Sequence, residues 1–141
     1  MEKRLSFIVL KRAVMDLIKK NTSHDVFDAV PKDYQGVHYA IGQITHEPVK
    51  HKTMHRTQFI VPIHIFTPPD NGSSLLMDKA IVELEEALTE FIELPEDYQL
   101  VHQEVANMAP AYEMEDGYKQ SILTFQSVSY THLTLPTKRI V

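Results

Sequence analysis

The chain has 141 residues, a formal net charge of −5 and 43% hydrophobic residues. This size fits one globular domain, which buries about 68% of its unfolded surface and needs no disulfide or metal for stability. The acidic balance argues against general nucleic-acid binding, since that function usually requires a basic face. The absence of cysteine excludes disulfides and thiolate metal sites and fits a reducing compartment.

The sequence predicts neither a membrane span nor a signal peptide. No apolar run approaches the roughly 18 residues that a membrane-spanning helix requires. The stretch from Leu5 to Leu10 is short and is followed at once by Lys11 and Arg12, whereas a signal peptide has a longer apolar region. We therefore expect a protein that is cytosolic where it is made and has no membrane partner.

The first predicted element is an amphipathic helix of about four turns. Lys19, Lys20 and Asn21 suit its C-terminus, where cations meet the negative end of the helix dipole and Asn tolerates a left-handed conformation. Its apolar face consists of Phe7, Leu10, Val14, Leu17 and Ile18.

Three strands are predicted next, over residues 26–30, 38–46 and 57–66. Gly42 inside the second strand indicates a bulge or a close approach of the backbone. The third strand alternates clearly, so we expect its odd-numbered side chains to face the core. Pro62 cannot donate a hydrogen bond to a neighbouring strand, and it predicts that this strand lies at an edge or is bulged.

A turn over residues 68–72 leads to a second helix, which Ser73 or Ser74 can cap and Pro95 ends. Strands over residues 99–108 and 118–128 follow, with Asp116 and Gly117 forming a hairpin signal between them. The predicted fold is α+β, an antiparallel sheet with two helices packed on one face, in the order α-β-β-β-α-β-β. The apolar stripe of the second helix is Leu76, Ala80, Ile81, Leu84, Leu88, Phe91 and Ile92, and Glu83, Glu85, Glu86 and Glu90 are predicted to face water.

The C-terminal segment is treated separately. Residues 128–137 resemble one reading frame of a transposon adapter used to prepare sequencing libraries, and the alternative is a natural Thr-rich tail. The interpretation adopted is a single domain over residues 1–128, followed by a non-native, adapter-derived tail over residues 129–141.

The histidines do not predict a metal site. His51 and His55 are four residues apart, a spacing that places two zinc ligands on one face of a helix. Here both lie in a loop between predicted strands, and no third ligand follows at a suitable interval. His64 and His102 fall within predicted strands, where a hydrogen-bonded packing role is more frequent than catalysis. We predict no metal and no cofactor.

The sequence contains no arrangement typical of a catalytic site. Glu83, Glu86 and Glu90 share one helix face, but that face is predicted to be solvated, where carboxylates have ordinary pKa values. There is no cysteine nucleophile and no Gly-x-Ser-x-Gly turn. With only four glycines, neither a phosphate-binding loop nor a dinucleotide-binding motif can be assigned. We therefore predict that the protein is not an enzyme.

Two loops of opposite charge are the candidate contact surfaces. The first is a basic segment, residues 50–56, and the second is an acidic hairpin, residues 112–116. If identical subunits form a ring, a head-to-tail contact could pair them. Alternatively, the basic segment contacts passing DNA or is a solvated loop tip. The candidate partner-contact residues are Lys50, His51, Lys52, His55, Arg56, Tyr112, Met114, Glu115 and Asp116.

The order of elements over residues 5–127 resembles that of the tail-completion proteins of long-tailed bacteriophages and prophages, which are similar in fold to tail terminators. The resemblance rests on three stretches: Val-Phe-Asp-Ala-Val-Pro at residues 26–31, Tyr-Ala-Ile-Gly-Gln-Ile-Thr at residues 39–45, and Phe-Ile-Val-Pro-Ile-His-Ile-Phe at residues 59–66. Pro62 and the pair Pro68 and Pro69 depart from the usual pattern of that family.

The resemblance implies a structural protein of virion assembly without catalytic residues. Such a protein forms a ring, usually a hexamer, at the head–tail junction, between a head connector protein and the tail tube protein. DNA passes through the lumen without being read. The implied location is the virion, after assembly in the bacterial cytoplasm. Two alternatives are another prophage minor capsid or connector protein and a small α+β ligand-binding domain.

Overall fold

The computed structural model describes residues 5–49 and 56–131. Over these ranges the chain forms two helices and a mixed sheet of seven strands, which confirms the predicted α+β class. The elements in chain order are α1 (Phe7–Asn21), β1 (Asp25–Phe27), β2 (His38–Ile41), β3 (Thr45–Val49), β4 (Arg56–Thr67), α2 (Leu75–Ala87), β5 (Tyr98–Met108), β6 (Tyr112–Glu113) and β7 (Lys119–Thr131).

The strand order across the sheet is β1-β2-β4-β7-β5, with β3 also paired to β4 and β6 also paired to β7. Every pair is antiparallel except β1 and β2, which run parallel from Asp25 opposite His38. The sheet is therefore mixed rather than wholly antiparallel. The connector over residues 28–37 returns the chain to the end of the sheet where β1 began, and so β2 takes the same direction.

The pair β4 and β7 forms the centre of the sheet. It is paired without a register shift from Arg56 opposite Tyr130 to Thr67 opposite Lys119. Alternation in β4 directs one face inward, and the buried faces of both helices join that face in a single core. The prediction that the odd-numbered face is buried is confirmed, since Phe59, Val61, Ile63 and Ile65 have no exposed surface.

Pro62 lies in this central strand, so the expectation of an edge strand is wrong. The irregularity occurs instead in the neighbouring chain, where the predicted strand 38–46 divides into β2 and β3. Gly42 stands between them and donates its N–H to the Pro62 carbonyl at 2.8 Å. Because the N–H and C=O of a strand residue point the same way, the missing donor of Pro62 faces this break. A Cβ on Gly42 would lie 2.9 Å from the His64 ring, which confirms the predicted close approach.

The two helices differ from the predicted pattern near their ends. The Ser6 hydroxyl accepts a hydrogen bond from the Ile8 N–H and starts α1, which ends at Asn21 as predicted, but Phe7 is 48% exposed. The Ser73 hydroxyl accepts from the Leu75 N–H at the start of α2. This helix ends at Ala87, well before Pro95, and Phe91 is therefore 68% exposed rather than part of a helical stripe.

Strand β5 forms one edge of the sheet and holds the chain that follows α2. Its Gln103 side chain donates to the carbonyls of Leu88 and Glu90 and accepts from the Ile92 N–H, at 2.7 to 3.0 Å. These bonds satisfy backbone groups that the helix leaves unpaired where it ends. They turn Ile92 into the core while Phe91 points outward.

Candidate assembly surfaces

Two of the histidines that the structure describes, His38 and His64, have packing roles. His38 is buried, stacks on Phe66 with ring centroids 4.9 Å apart, and its Nδ1 lies 2.9 Å from the Gly36 carbonyl. Burial lowers the pKa of His64, whose Nδ1 pairs with the Gln120 amide at 2.7 Å. These contacts stabilise the sheet face opposite the helices.

No candidate metal centre occurs in the described ranges. Over residues 5–49 and 56–131, no group of three His, Asp or Glu side chains is placed to hold a metal ion. His102 pairs with Glu104 at 3.1 Å on the exposed face of β5. His51 and His55, the pair with zinc-like spacing, lie outside the described residues.

Glu83 is not on a solvated face, which corrects the prediction from helical spacing. Its carboxylate accepts from the Ser23 N–H at 2.8 Å and the Ser23 hydroxyl at 3.0 Å, and lies 3.0 Å from His24 Nε2. Partial burial raises the pKa of Glu83, but the Ser23 bonds and the neighbouring His24 outweigh it, so the pKa lies below its ordinary value. The carboxylate joins the α1–β1 connector to α2, a structural role.

Glu90 has a similar joining role outside α2. Its carboxylate accepts from Lys20 at 2.7 Å and from Asn21 at 3.2 Å, at the C-terminal end of α1. These bonds hold the pKa of Glu90 below its ordinary value. Two of the three spaced glutamates, Glu83 and Glu90, thus make different connections in the fold, whereas Glu86 is exposed.

The acidic hairpin forms as its turn residues predict. Gly117 adopts a positive φ of 90°, and the Met114 N–H donates to the Tyr118 carbonyl at 2.7 Å. Asp116 accepts from the Tyr118 N–H at 3.0 Å, and Glu115 is exposed. The hairpin therefore carries its carboxylates on a short, hydrogen-bonded turn.

Tyr112 and Met114 are the two apolar residues of this hairpin that the sequence predicts to contact a partner. Tyr112 is 54% exposed, and its hydroxyl donates to the Gln120 amide oxygen at 2.8 Å. Tyr112 also lines a groove of about 390 Å³ between α2 and residues 108–113, with Met77, Ile81, Met108 and Ala111 among the other lining residues. Sequence reasoning missed this groove because its two walls are more than twenty residues apart in the chain.

The strand ends that flank the basic segment and the acidic hairpin lie at opposite ends of the sheet. Lys50, His51, Lys52 and His55 are outside the described residues, but the strands that flank them, ending at Val49 and beginning at Arg56, are paired with each other. Arg56 also lies opposite Tyr130, near the end of β7, whereas the acidic hairpin precedes the start of β7 at Lys119. The strand ends that flank the basic segment are therefore far from the acidic hairpin of the same subunit.

Comparison with known proteins identifies the family. A family model described as phage "tail termination protein" matches residues 1–132. The chain belongs to the phage tail terminator family. It is accordingly a structural protein of the phage tail, as the resemblance in the sequence predicted. No curated protein sequence matches it significantly.

The fold of this tail terminator family member has a counterpart in a solved particle. A chain of the virion of a native gene transfer agent superposes with a TM-score of 0.67 at 19% sequence identity, covering 89% of this chain and 99% of that one. At this identity the similarity establishes the fold. In the ranges that the structure describes, neither helix is long and apolar enough to cross a membrane.

Proposed function

We propose that this protein forms a ring at the head–tail junction of a phage or prophage virion and completes the tail. The ring is a hexamer that contacts the tail tube protein on one side and a head connector protein on the other. DNA passes through its lumen without sequence-specific contacts, and the protein catalyses no reaction. Subunits fold in the bacterial cytoplasm and are incorporated into the virion there.

The proposal is supported by the opposite placement of the acidic hairpin and of the strand ends that flank the basic segment. A closed ring requires two different surfaces on each subunit, so that each contact joins one surface to the other surface of the next copy. The strand ends that flank the basic segment are separated from the acidic hairpin by the length of β4, 12 residues or about 40 Å. Membership of the tail terminator family supports the same assembly role.

Individual contacts between these loops are expected to be weak. Exposed ion pairs contribute under about 1 kcal/mol each. A subunit that relies on such pairs stays monomeric at low concentration and joins a ring when the tail tube or connector holds several copies together. Assembly is then confined to a finished tail.

Complementation of a phage that lacks this gene tests the proposal. Lys50→Glu, Lys52→Glu and Arg56→Glu together should give a folded protein whose lysates contain separate heads and tails. The matched control reverses the same number of charges elsewhere, at Arg12, Lys19 and Lys79, all of which are exposed. Normal virion yield from the first variant would contradict the role of the basic segment. Normal yield with the gene deleted would remove the junction role altogether.

A further inference from the structure

An open cleft lies beside the acidic hairpin, at the same end of the sheet. It has a volume of about 740 Å³ and is enclosed by the loop over residues 33–36, the turn at Pro68 and Pro69, and the β6–β7 turn. Its side chains include those of Asp33, Tyr34, Asp116 and Tyr118, and no residue that lines it is Lys or Arg. Carboxylates and aromatic faces are the groups that bind cationic side chains.

The aromatic walls of the cleft are held in place before any partner arrives. The Tyr34 hydroxyl donates to Asp25 Oδ2 at 2.6 Å, and its ring packs edge-on against the buried His38 at 4.8 Å. The Tyr118 hydroxyl accepts from the Gly36 N–H at 3.1 Å. A site held in this way loses little conformational entropy when it binds.

The basic segment of the same subunit cannot occupy this cleft. Six residues separate Val49 from Arg56, and these two flanking residues are paired across the β3–β4 hairpin. With both ends fixed, three residues on each side reach at most about 10 Å beyond the pair. The cleft is about 40 Å away along β4. Any contact between the two must therefore join different subunits.

We propose that this cleft receives the basic segment, residues 50–56, of a second copy of the chain. The inference rests on the proposed ring and names the contact that closes it. Lys50, Lys52 and Arg56 supply three cations with no intervening acid, and the cleft supplies two carboxylates with no lining cation. Asp33, Tyr34 and Tyr118 are thereby added to the acidic hairpin as contact residues.

This contact is directional, and the direction has a structural consequence. Each copy inserts one end of its sheet into the opposite end of the next copy. Such a contact does not close after two subunits, so it propagates until the ring is complete. A symmetric dimer would instead bury the same surface on both partners.

Cysteine cross-linking tests the contact directly because the chain contains no cysteine of its own. The variant Lys52→Cys with Asp33→Cys, oxidised at high protein concentration, should give a covalent ladder of trimers and larger species. The matched control, Lys52→Cys with Lys79→Cys, should give no ladder. Monomers or dimers alone from the first pair, or the same ladder from the control, would overturn the proposal.

A charge exchange provides the second test. One variant carries Asp33→Lys and Asp116→Asn, which keeps an acceptor for the Tyr118 N–H; the other carries Lys50→Glu, Lys52→Glu and Arg56→Glu. At the high protein concentration used for cross-linking, neither should form multimers alone, whereas a mixture should, by alternating along the ring. Circular dichroism verifies folding of each, and sedimentation velocity measures assembly.

The outcomes separate the contact from the function. Multimers from either variant alone, or no gain from mixing, would overturn the cleft contact. If the unaltered gene still restores virions to the deletion phage, the junction role stands without this contact. If the unaltered gene does not restore virions, the proposed junction function is itself contradicted, whatever the outcome for the cleft contact.

Discussion

Gly42 shows how one residue accommodates an imino acid at the centre of a sheet. The break between β2 and β3 places this glycine against β4, where its N–H bonds the Pro62 carbonyl. A side chain there has no room, because a Cβ would lie 2.9 Å from both His64 Nε2 and Pro62 Cγ. The close packing of Pro62 against this break therefore requires a residue without a side chain at position 42.

We expect Gly42→Ala to destabilise the fold by about 1–3 kcal/mol, the usual cost of overpacking a sheet interior. Urea unfolding measures the loss as a lower midpoint at an unchanged slope. In the double variant Gly42→Ala with His64→Ala, the removed ring makes space, so the two effects should not add. An unchanged midpoint in Gly42→Ala would show that the contact is looser than the structure indicates.

The Glu83 carboxylate is expected to stabilise the fold in a pH-dependent way. Its folded pKa is depressed, so its contribution is present above the unfolded pKa, about 4.5, and is lost as the pH falls through the folded value. Glu83→Gln should cost about 1 kcal/mol at neutral pH, a figure reduced for partial exposure. The difference from the unaltered protein should shrink as the pH falls below the unfolded pKa, about 4.5, and through the lower folded pKa.

Equilibrium unfolding at several pH values checks this expectation. Glu86→Gln, an exposed change on the same helix, is the control and should shift stability by no more than about 0.5 kcal/mol. A Glu83→Gln effect that is constant from neutral to acidic pH would mean that the Ser23 bonds do not depend on the carboxylate charge.

At the scale of elements, β7 extends beyond the point where the sequence places the end of the domain. It pairs as far as Thr131, with Ser129 buried opposite Thr57 and the Tyr130 hydroxyl donating to Gln99 at 2.9 Å. Residues 132–141 lie outside the described ranges. The proposed origin of residues 129–141 in an adapter concerns where the sequence came from and does not prevent its first residues from adding to an existing strand.

Two truncations test whether residues 129–131 stabilise β7 and whether the residues after Thr131 contribute nothing. A chain that stops after Thr131 should unfold at the midpoint of the full chain, because adapter-derived residues were not selected to pack. A chain that stops after Val128 should lose about 1–2 kcal/mol, the scale of a few strand hydrogen bonds and one cross-strand pair. Thermal unfolding of both measures this. A loss above about 2 kcal/mol on stopping after Thr131 would contradict a non-native tail.

Periodicity in the sequence was enough to predict both helices and the buried face of β4. It failed where long-range contacts decide the outcome. The position of Phe91 depends on the bonds from Gln103, which no local pattern reveals. Pro62 correctly indicated an irregularity in the sheet. The irregularity lies in the neighbouring chain, at Gly42 between β2 and β3, and the sequence around Pro62 does not show this. The cleft escaped detection because its walls come from three separated loops.

At the scale of the whole molecule, assembly through opposite charges should depend on salt. The Debye length falls from about 10 Å at 0.1 M to about 3 Å at 1 M, so pairs between subunits are screened. We expect the multimer fraction in sedimentation velocity to fall as NaCl increases over this range. Association that strengthens with salt would instead indicate an apolar contact, for which the groove beside Met77 and Tyr112 is the available surface.

The central position of β7 has a consequence for when the sheet can form during synthesis. The strands β4 and β5 are synthesised first, yet each pairs mainly with β7. Arg56 pairs with Tyr130, which lies about half the chain length further on. Until residues 119–131 have been made, β5 lacks its partner strand, β4 lacks the partner on one side, and the core lacks Leu123 and Phe125. A nascent chain therefore cannot complete its sheet before β7 has been made, and slow folding through such distant pairings is expected.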